Sequence, residues 1–388
     1  MRLTARGAAL ALLAGNFIIG LSILAPAGMM APLATNLGLP VSRAGLIITI
    51  GAIVLCIGSP LAAWAAATLD RRNLLSASLA CLALCHVASA FAPSFETLLT
   101  LRVAEMAFAC VFTPQAASAI AMLVPERDRP GAISFVFLGW SLAAALGLPL
   151  VAYFAAQFGW RSIHGALAVS AALASGLVYA SLPTGLRGSA MSLASWGGLF
   201  GNRMIMVLLA ATILSAAGQF VIFTYFGPLV SITTGASATQ VAACFGVFGI
   251  AGFIGNVIAS RIVGRIGALN TSLVFFSSML VGALIWSVSG DSLALVFVAA
   301  AVWGGGFGAS NSMQQARLAA AAPALAGAAI ALNSSSIFIG QASGSALGGS
   351  MFDAGSYQGM ALVSAGFMLA TVLMVLWSGR LARAQTPR

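Results

Sequence analysis

The sequence predicts an all-α integral membrane protein, with twelve transmembrane helices in two pseudo-symmetric six-helix bundles. Three observations predict it. The 388-residue chain is 61% hydrophobic and 6% charged, with a mean hydropathy of +1.05, which leaves too little polar surface for a soluble globule. Apolar stretches of about 20 residues recur along it, the length that crosses roughly 30 Å of hydrocarbon at 1.5 Å per residue. Its seventeen basic residues are all Arg, and fourteen fall in alternate gaps between those stretches.

The first half gives spans over residues 8–32, 44–68, 73–92, 97–123, 131–157 and 163–182. Arg6, Arg43, the Asp70-Arg71-Arg72 run, Glu96, the Pro125-to-Arg129 segment and Arg161 mark their starts in turn. The second half gives 203–231, 239–264, 269–290, 292–315, 324–352 and 358–379. Arg203 opens that set, Arg261 and Arg265 close its second member, and Asp291, Arg317, Asp353 and Arg380 mark later gaps.

Arg2, Arg6, Arg71, Arg72, Arg127, Arg129, Arg187, Arg203, Arg261, Arg265, Arg317, Arg380, Arg383 and Arg388 lie on one side; Arg43 and Arg161 lie on the other, and Arg102 is inside a span. Short loops rich in Arg stay in the cytoplasm. Both termini are therefore predicted cytoplasmic, in an inner membrane, which agrees with an even span count. Arg2 and Arg6 before an apolar run ending near Ala25-Pro26-Ala27 have the layout of a signal peptide. The length of that run and the even count predict a retained first helix instead. A pI of about 10.7 reports an Arg rim facing anionic lipid, and no nucleic-acid partner is expected. Cys56, Cys81, Cys85, Cys110 and Cys244 all sit in spans, so no disulfide framework is expected. Cys81, Cys85 and His86 share a helix flank, but buried thiols are the favoured reading and no metal is expected.

The stretch 183–202, rich in Gly and Ser, divides the chain into an N-terminal bundle (1–182), a cytoplasmic linker and a C-terminal bundle (203–388). The fifth span carries Gly139, Gly147 and Pro149, and the eleventh carries Gly340, Gly344, Gly348 and Gly349. Small residues let helices approach closely in lipid, so both spans are expected at the interface between the halves. Two six-helix halves joined by a flexible loop fit a transporter that rocks around a midplane site.

These residues resemble the major facilitator superfamily, and more narrowly its drug-and-sugar efflux branch, with arabinose-efflux-like, nucleoside-efflux-like and drug:proton antiporter members. The resemblance rests on Asp70-Arg71-Arg72-Asn73-Leu74-Leu75, Arg102, Pro125-Glu126-Arg127 with Arg129, Gly147-Leu148-Pro149 and Gly159-Trp160-Arg161. It implies alternating access, commonly with exchange of substrate for protons. The chain departs from the family pattern at Ala67 and Thr68, where an acid and a base are usual, and at Val151, where Gly is usual. The first span of related members often carries an acid, and here the nearest polar residue is Asn16.

Of seven acids, Glu105 alone lies well inside a span, three residues after Arg102 on the same helical face. An ionisable residue in the bilayer is by default a functional hypothesis, so the pair is read either as the proton-coupling site or as a static clasp. His164 reads as a surface His that can titrate or do nothing. Asn16, Gln115, Trp140, Gln219, Thr224, Tyr225, Asn256, Asn311, Gln314, Asn333 and Gln341 are the polar candidates for a largely neutral substrate cavity. Thr113-Pro114 and Gly227-Pro228 are places where a helix can open or merely kink. Asp70, Arg71, Arg72, Gly147, Pro149, Arg161 and Gly344 are conformational candidates, with Asp70, Arg71 and Arg72 either latching the cytoplasmic side or serving as positive-inside anchors.

Function follows as secondary transport. Proton-coupled efflux of a small neutral or amphipathic solute (sugar, nucleoside or drug) leads; proton-symport uptake and uncoupled facilitation stay open. Partners are that solute, protons and the lipid bilayer, and a functional monomer is expected. No cofactor is expected, and no phosphate-binding Gly motif supports ATP-driven pumping. An enzyme is disfavoured because neither a metal motif nor a nucleophile-and-base spacing occurs. A membrane sensor would need a soluble domain.

Overall fold

The computed structural model describes residues 3–66, 68–187 and 199–385. Most of the predicted linker, with Arg2, Ala67 and Arg388, lies outside the described residues. The first half comprises α1 (Leu3–Gly28), α2 (Met30–Leu37), α3 (Val41–Ala65), α4 (Arg71–Ala90), α5 (Phe95–Leu123), α6 (Arg129–Leu142), α7 (Leu148–Phe158) and α8 (Trp160–Ser181). The second comprises α9 (Arg203–Phe223), α10 (Phe226–Thr234), α11 (Ala238–Ser287), α12 (Leu293–Ala321), α13 (Ala326–Asp353) and α14 (Tyr357–Gln385). Every element among the described residues is helical, the form in which a spanning segment satisfies its own backbone in lipid.

Among the described residues, ten helical stretches are long and apolar enough to cross a membrane. One of them, the 50-residue α11, is two spans joined at Gly267 (φ 79°, ψ 160°). The remaining span is α13, 28 residues long. Asn333, Ser334, Ser335, Ser336 and Gln341 make it less apolar than the others. That restores twelve.

The halves repeat one another in detail. The first span breaks at Met29 (φ −105°, ψ 11°) and the seventh at Tyr225 (φ −108°, ψ 13°). Each short helix that follows ends on a left-handed glycine, Gly38 (φ 62°) and Gly235 (φ 68°), a conformation that strains any residue with a Cβ. The fifth span joins α6 to α7 through a π-helical segment at Ala143–Gly147. α5 runs unbroken through Pro114, and Pro228 lies in the first turn of α10, where a missing N–H costs little. The open form of the Thr113-Pro114 expectation does not occur.

α1 and α9 are central: 78% of their apolar windows is buried, against 50% or less in the other spans. The outer helices turn Leu84, Phe91, Phe158 and Leu173 outward, as lipid contact requires. α3 packs on α13, while α11 packs on α7 and the π-helical segment, and these two seams join the halves. Spans five and eleven thus reach the interface through different partners, spans eight and two. Gly349 lies at the α3–α13 seam, but Gly147 and Gly344 lie elsewhere: a Cβ at Gly147 would meet Leu21 of α1, and one at Gly344 would collide with the Ala217 backbone of α9. Both are contacts within a half. Pro149 does face the α11 seam, 3.8 Å from where a Cβ on Gly246 would lie.

Candidate functional site

Arg102 and Glu105 come from one face of α5 because their three-residue spacing nearly completes a helical turn. Both are buried, and Arg102 Nη1 lies 3.1 Å from Glu105 Oε2. Arg102 also donates to the backbone carbonyls of Ser22 (2.8 Å) and Ile23 (3.1 Å) on α1. The other carboxylate oxygen accepts from Ser89 Oγ at 2.8 Å. Sequence reasoning found this pair.

It missed the rest of the cluster. His86 from α4 and His164 from α8 are both buried, so the reading of His164 as a surface residue is corrected. His164 lies only one turn into α8, but Trp160 and the packing of α1 and α4 cover it. His86 Nδ1 is 3.1 Å from Glu105 Oε1 and 3.0 Å from His164 Nδ1, and His86 Nε2 is 2.9 Å from Ser22 Oγ. The two histidines are the only ones in the chain. That pairing was the available signal. Cys81 and Cys85 remain free thiols, and His86 joins Glu105 and His164 instead of them.

Two nitrogens and one carboxylate oxygen within 4.8 Å of one another are a donor set of the kind zinc uses. Here, however, a guanidinium already holds the same carboxylate. With neutral imidazoles, the cluster sums to zero; a dication would leave two positive charges in a dry interior, and a proton leaves one. Charge therefore favours a proton.

Five of the eleven cavity candidates fall in two networks. On the first, Thr113 Oγ1 donates to Asn16 Oδ1 (2.8 Å), Trp140 Nε1 donates to Thr113 Oγ1 (3.3 Å), and Asn16 Nδ2 donates to the Val136 carbonyl (3.2 Å). This ties α1, α5 and α6. On the second, Arg317 donates to Gln314, Gln314 to Thr212, Thr212 to Asn333, and Asn333 to Asn311, across α12, α9 and α13. Thr212 was not foreseen, and Thr113 was foreseen only as part of the Thr113-Pro114 opening. Gln115 and Gln341 are buried, Gln219 donates to Ser215 within α9, and Asn256 accepts from Ser312. The Thr224 hydroxyl is buried without a partner among the described residues. Tyr225 leaves the cavity set for the α3–α13 seam, where it donates to the Ser345 carbonyl at 3.0 Å and lines a cleft of about 240 Å³.

The charged conformational candidates contact residues of the first half and the start of the linker. Asp70 caps α4 through the Asn73 N–H and accepts from the Gly185 N–H; Arg71 donates to the Ala66 and Leu69 carbonyls. Arg72 lies over the Tyr179 ring, 4.0 Å away. Arg161 donates to Asn36 (2.7 Å) and the Ala92 carbonyl (2.9 Å), and Trp160 also donates to Asn36.

A helical bundle with a repeated break, two cross-half seams and a buried ion pair now has a family. Residues 12–332 match the Major Facilitator Superfamily. The chain belongs to that family. It is 28% identical over 365 residues to a probable sugar efflux transporter of Mannheimia succiniciproducens, covering 93% of this chain and 90% of that one. It is 29% identical over 280 residues to the purine ribonucleoside efflux pump NepI of Shigella sonnei, covering 72% and 70%. A solved structure of the nucleoside transporter NupG, in a mutant form, shares the fold, with a TM-score of 0.75 and 12% identity over 97% of this chain and 99% of that one. This facilitator is a multi-pass membrane transporter, and neither its family nor these relatives are enzymes.

Proposed function

We propose that this facilitator exports a small neutral or amphipathic solute (a sugar, nucleoside or drug) in exchange for protons, by alternating access of halves 1–182 and 203–388. It works as a monomer in a bacterial inner membrane, with both termini cytoplasmic. The observation that carries the reading is the buried Arg102–Glu105 pair bound to the backbone of α1. Protonating Glu105 removes the charge that holds Arg102, and Arg102 grips the central helix at Ser22 and Ile23. Asn16 of the polar network lies on that same helix, six residues or roughly 9 Å away. Proton occupancy and solute contacts thus share one rod.

The two networks are neutral but for Arg317, and their amides, hydroxyls and indole suit hydroxylated or weakly polar solutes. The printed functions of the sugar and purine ribonucleoside relatives support that class. Flux in oriented vesicles tests it, with radiolabelled L-arabinose and inosine as probes. Inverted vesicles, acid inside, should accumulate a probe, and Glu105→Gln should abolish accumulation while leaving solute exchange. Accumulation by right-side-out vesicles in an inward proton gradient would mean symport uptake, and equilibration alone would mean facilitation. If Glu105→Gln vesicles still accumulate a probe, the pair is a structural clasp.

A further inference from the structure

Three lone-pair atoms meet where α4, α5 and α8 pack. His86 Nδ1, His164 Nδ1 and Glu105 Oε1 are separated by 3.0, 3.1 and 3.6 Å. Bare lone pairs so close repel, so a proton must lie among them. The Ser22 hydroxyl lies 2.9 Å from His86 Nε2; with that hydroxyl as the donor, the His86 proton sits on Nδ1, facing both the carboxylate and His164. His164 then accepts on Nδ1 and carries its own proton on Nε2, a buried atom without a hydrogen-bond partner among the described residues.

We propose that His86, His164 and Glu105 bind the coupling proton jointly, as one shared site, and that His164 is the group on which it enters and leaves. This rests on the proton-coupled reading of Glu105 above. A proton added to His164 Nδ1 turns the 3.0 Å contact between the rings into two donors facing each other. The rings part, the new imidazolium turns toward the carboxylate, and α8 shifts against α4, which it packs along. The ionisable groups around His164 are Arg102 and Glu105 on α5 and His86 on α4, with Cys85 of α4 within electrostatic reach of Glu105; α1 brings only the uncharged Ser22. His86 and His164 each lie about one turn from a helix end, of α4 and α8 respectively. What singles out His164 is its Nε2, the ring nitrogen of the pair that has no hydrogen-bond partner among the described residues.

Trp160 supplies the readout. Its ring stands edge-on to His164 with centroids 5.8 Å apart, and an imidazolium quenches a neighbouring indole. The full-length purified protein is titrated from about pH 8 to about pH 4, and the Trp160 signal is taken as the wild-type emission minus that of Trp160→Phe. That signal should fall in one step. His164→Gln should abolish the step, and His164→Asn, which keeps a polar atom near the Nδ1 position, does so as well if the Gln variant fails to fold. Glu105→Gln removes the anion that favours the imidazolium, so the midpoint should drop by about one pH unit or more. A midpoint unmoved in Glu105→Gln, a step retained without His164, or no step in the wild type overturns the shared site. Zinc that raises the melting temperature of the wild type but not of His164→Gln overturns it too, since the three atoms would then be metal ligands. In inverted vesicles with inosine, accumulation lost in Glu105→Gln but kept in His164→Gln ends the shared site and leaves proton-coupled efflux standing. Accumulation kept in Glu105→Gln ends the efflux reading itself.

Discussion

Thr49 of α3 donates to Ser345 of α13 at 3.0 Å, a hydrogen bond between the two halves at a point where both residues are buried. Tyr225 fills the seam beside it. Its hydroxyl occupies the space that Gly45 and Gly349 leave, and a Cβ on Gly349 would lie 2.7 Å from it. The alternating access proposed above requires this joint to break.

Joining the two positions should therefore stop transport. In a background without the five native cysteines, Thr49→Cys with Ser345→Cys should cross-link on oxidation, since the side-chain oxygens are already 3.0 Å apart and a disulfide needs only about 1 Å of approach. Flux should fall to background and return with reductant. Unchanged flux in the fully cross-linked protein would mean that this seam stays shut throughout the cycle.

The glycines that matter for closure are those that face backbone. A Cβ on Gly249 would collide with the Ala144 backbone across the α11 seam, and one on Gly344 with the Ala217 backbone within the second half. Gly249→Leu should insert normally yet lose flux, and it should block the Thr49–Ser345 cross-link by holding the halves apart. Gly344→Leu should lower the melting temperature as well as flux. Gly147→Ala should do far less, because its neighbour is the tip of the Leu21 side chain, which can turn aside. Melting curves and cross-linking yields check all three.

Lipid makes the fold legible and the site only half so. A spanning segment must be apolar, long and helical, so length and Arg placement carry twelve spans without any knowledge of packing. The Arg102–Glu105 pair is also local, three residues apart on one helix. His86, His164, Ser22 and Ser89 reach the same carboxylate or its partners from three other helices, and no periodicity announces such a meeting. Gly147 and Gly344 show the same limit: their composition signalled close approach, but not which neighbour would be approached. The second half underlines it, since Phe223, Phe248, Trp286 and Trp303 pack together from α9, α11 and α12. There, the counterparts of α1, α4 and α5 hold aromatic rings instead of charges.

Asn311 and Asn333 touch, but their variants should behave differently. Asn333 is fully buried and links Thr212 to Asn311, so Asn333→Ala removes a buried partner from each and should cost about 1–3 kcal/mol. Asn311 is partly exposed, and Asn311→Ala should raise the KM for inosine or arabinose with little loss of melting temperature. Equal thermal losses, with KM unchanged in both, would make this network purely structural.

The stability of the bundle should report the ion pair directly. Arg102→Ala leaves the Glu105 carboxylate without its cation and takes donors from the Ser22 and Ile23 carbonyls, a loss of about 3–5 kcal/mol for a buried pair broken on one side. Glu105→Gln keeps an acceptor for Arg102 at nearly the same volume and should cost less. The double variant removes both charges, so it should melt above Arg102→Ala alone, because much of the single variant's loss comes from a stranded charge rather than from missing contacts. The three melting temperatures, measured at one pH in the same detergent, form the cycle. A double variant that melts no higher than Arg102→Ala would show that the guanidinium stabilises α1 through the two carbonyls, and that Glu105 is held by its histidines instead.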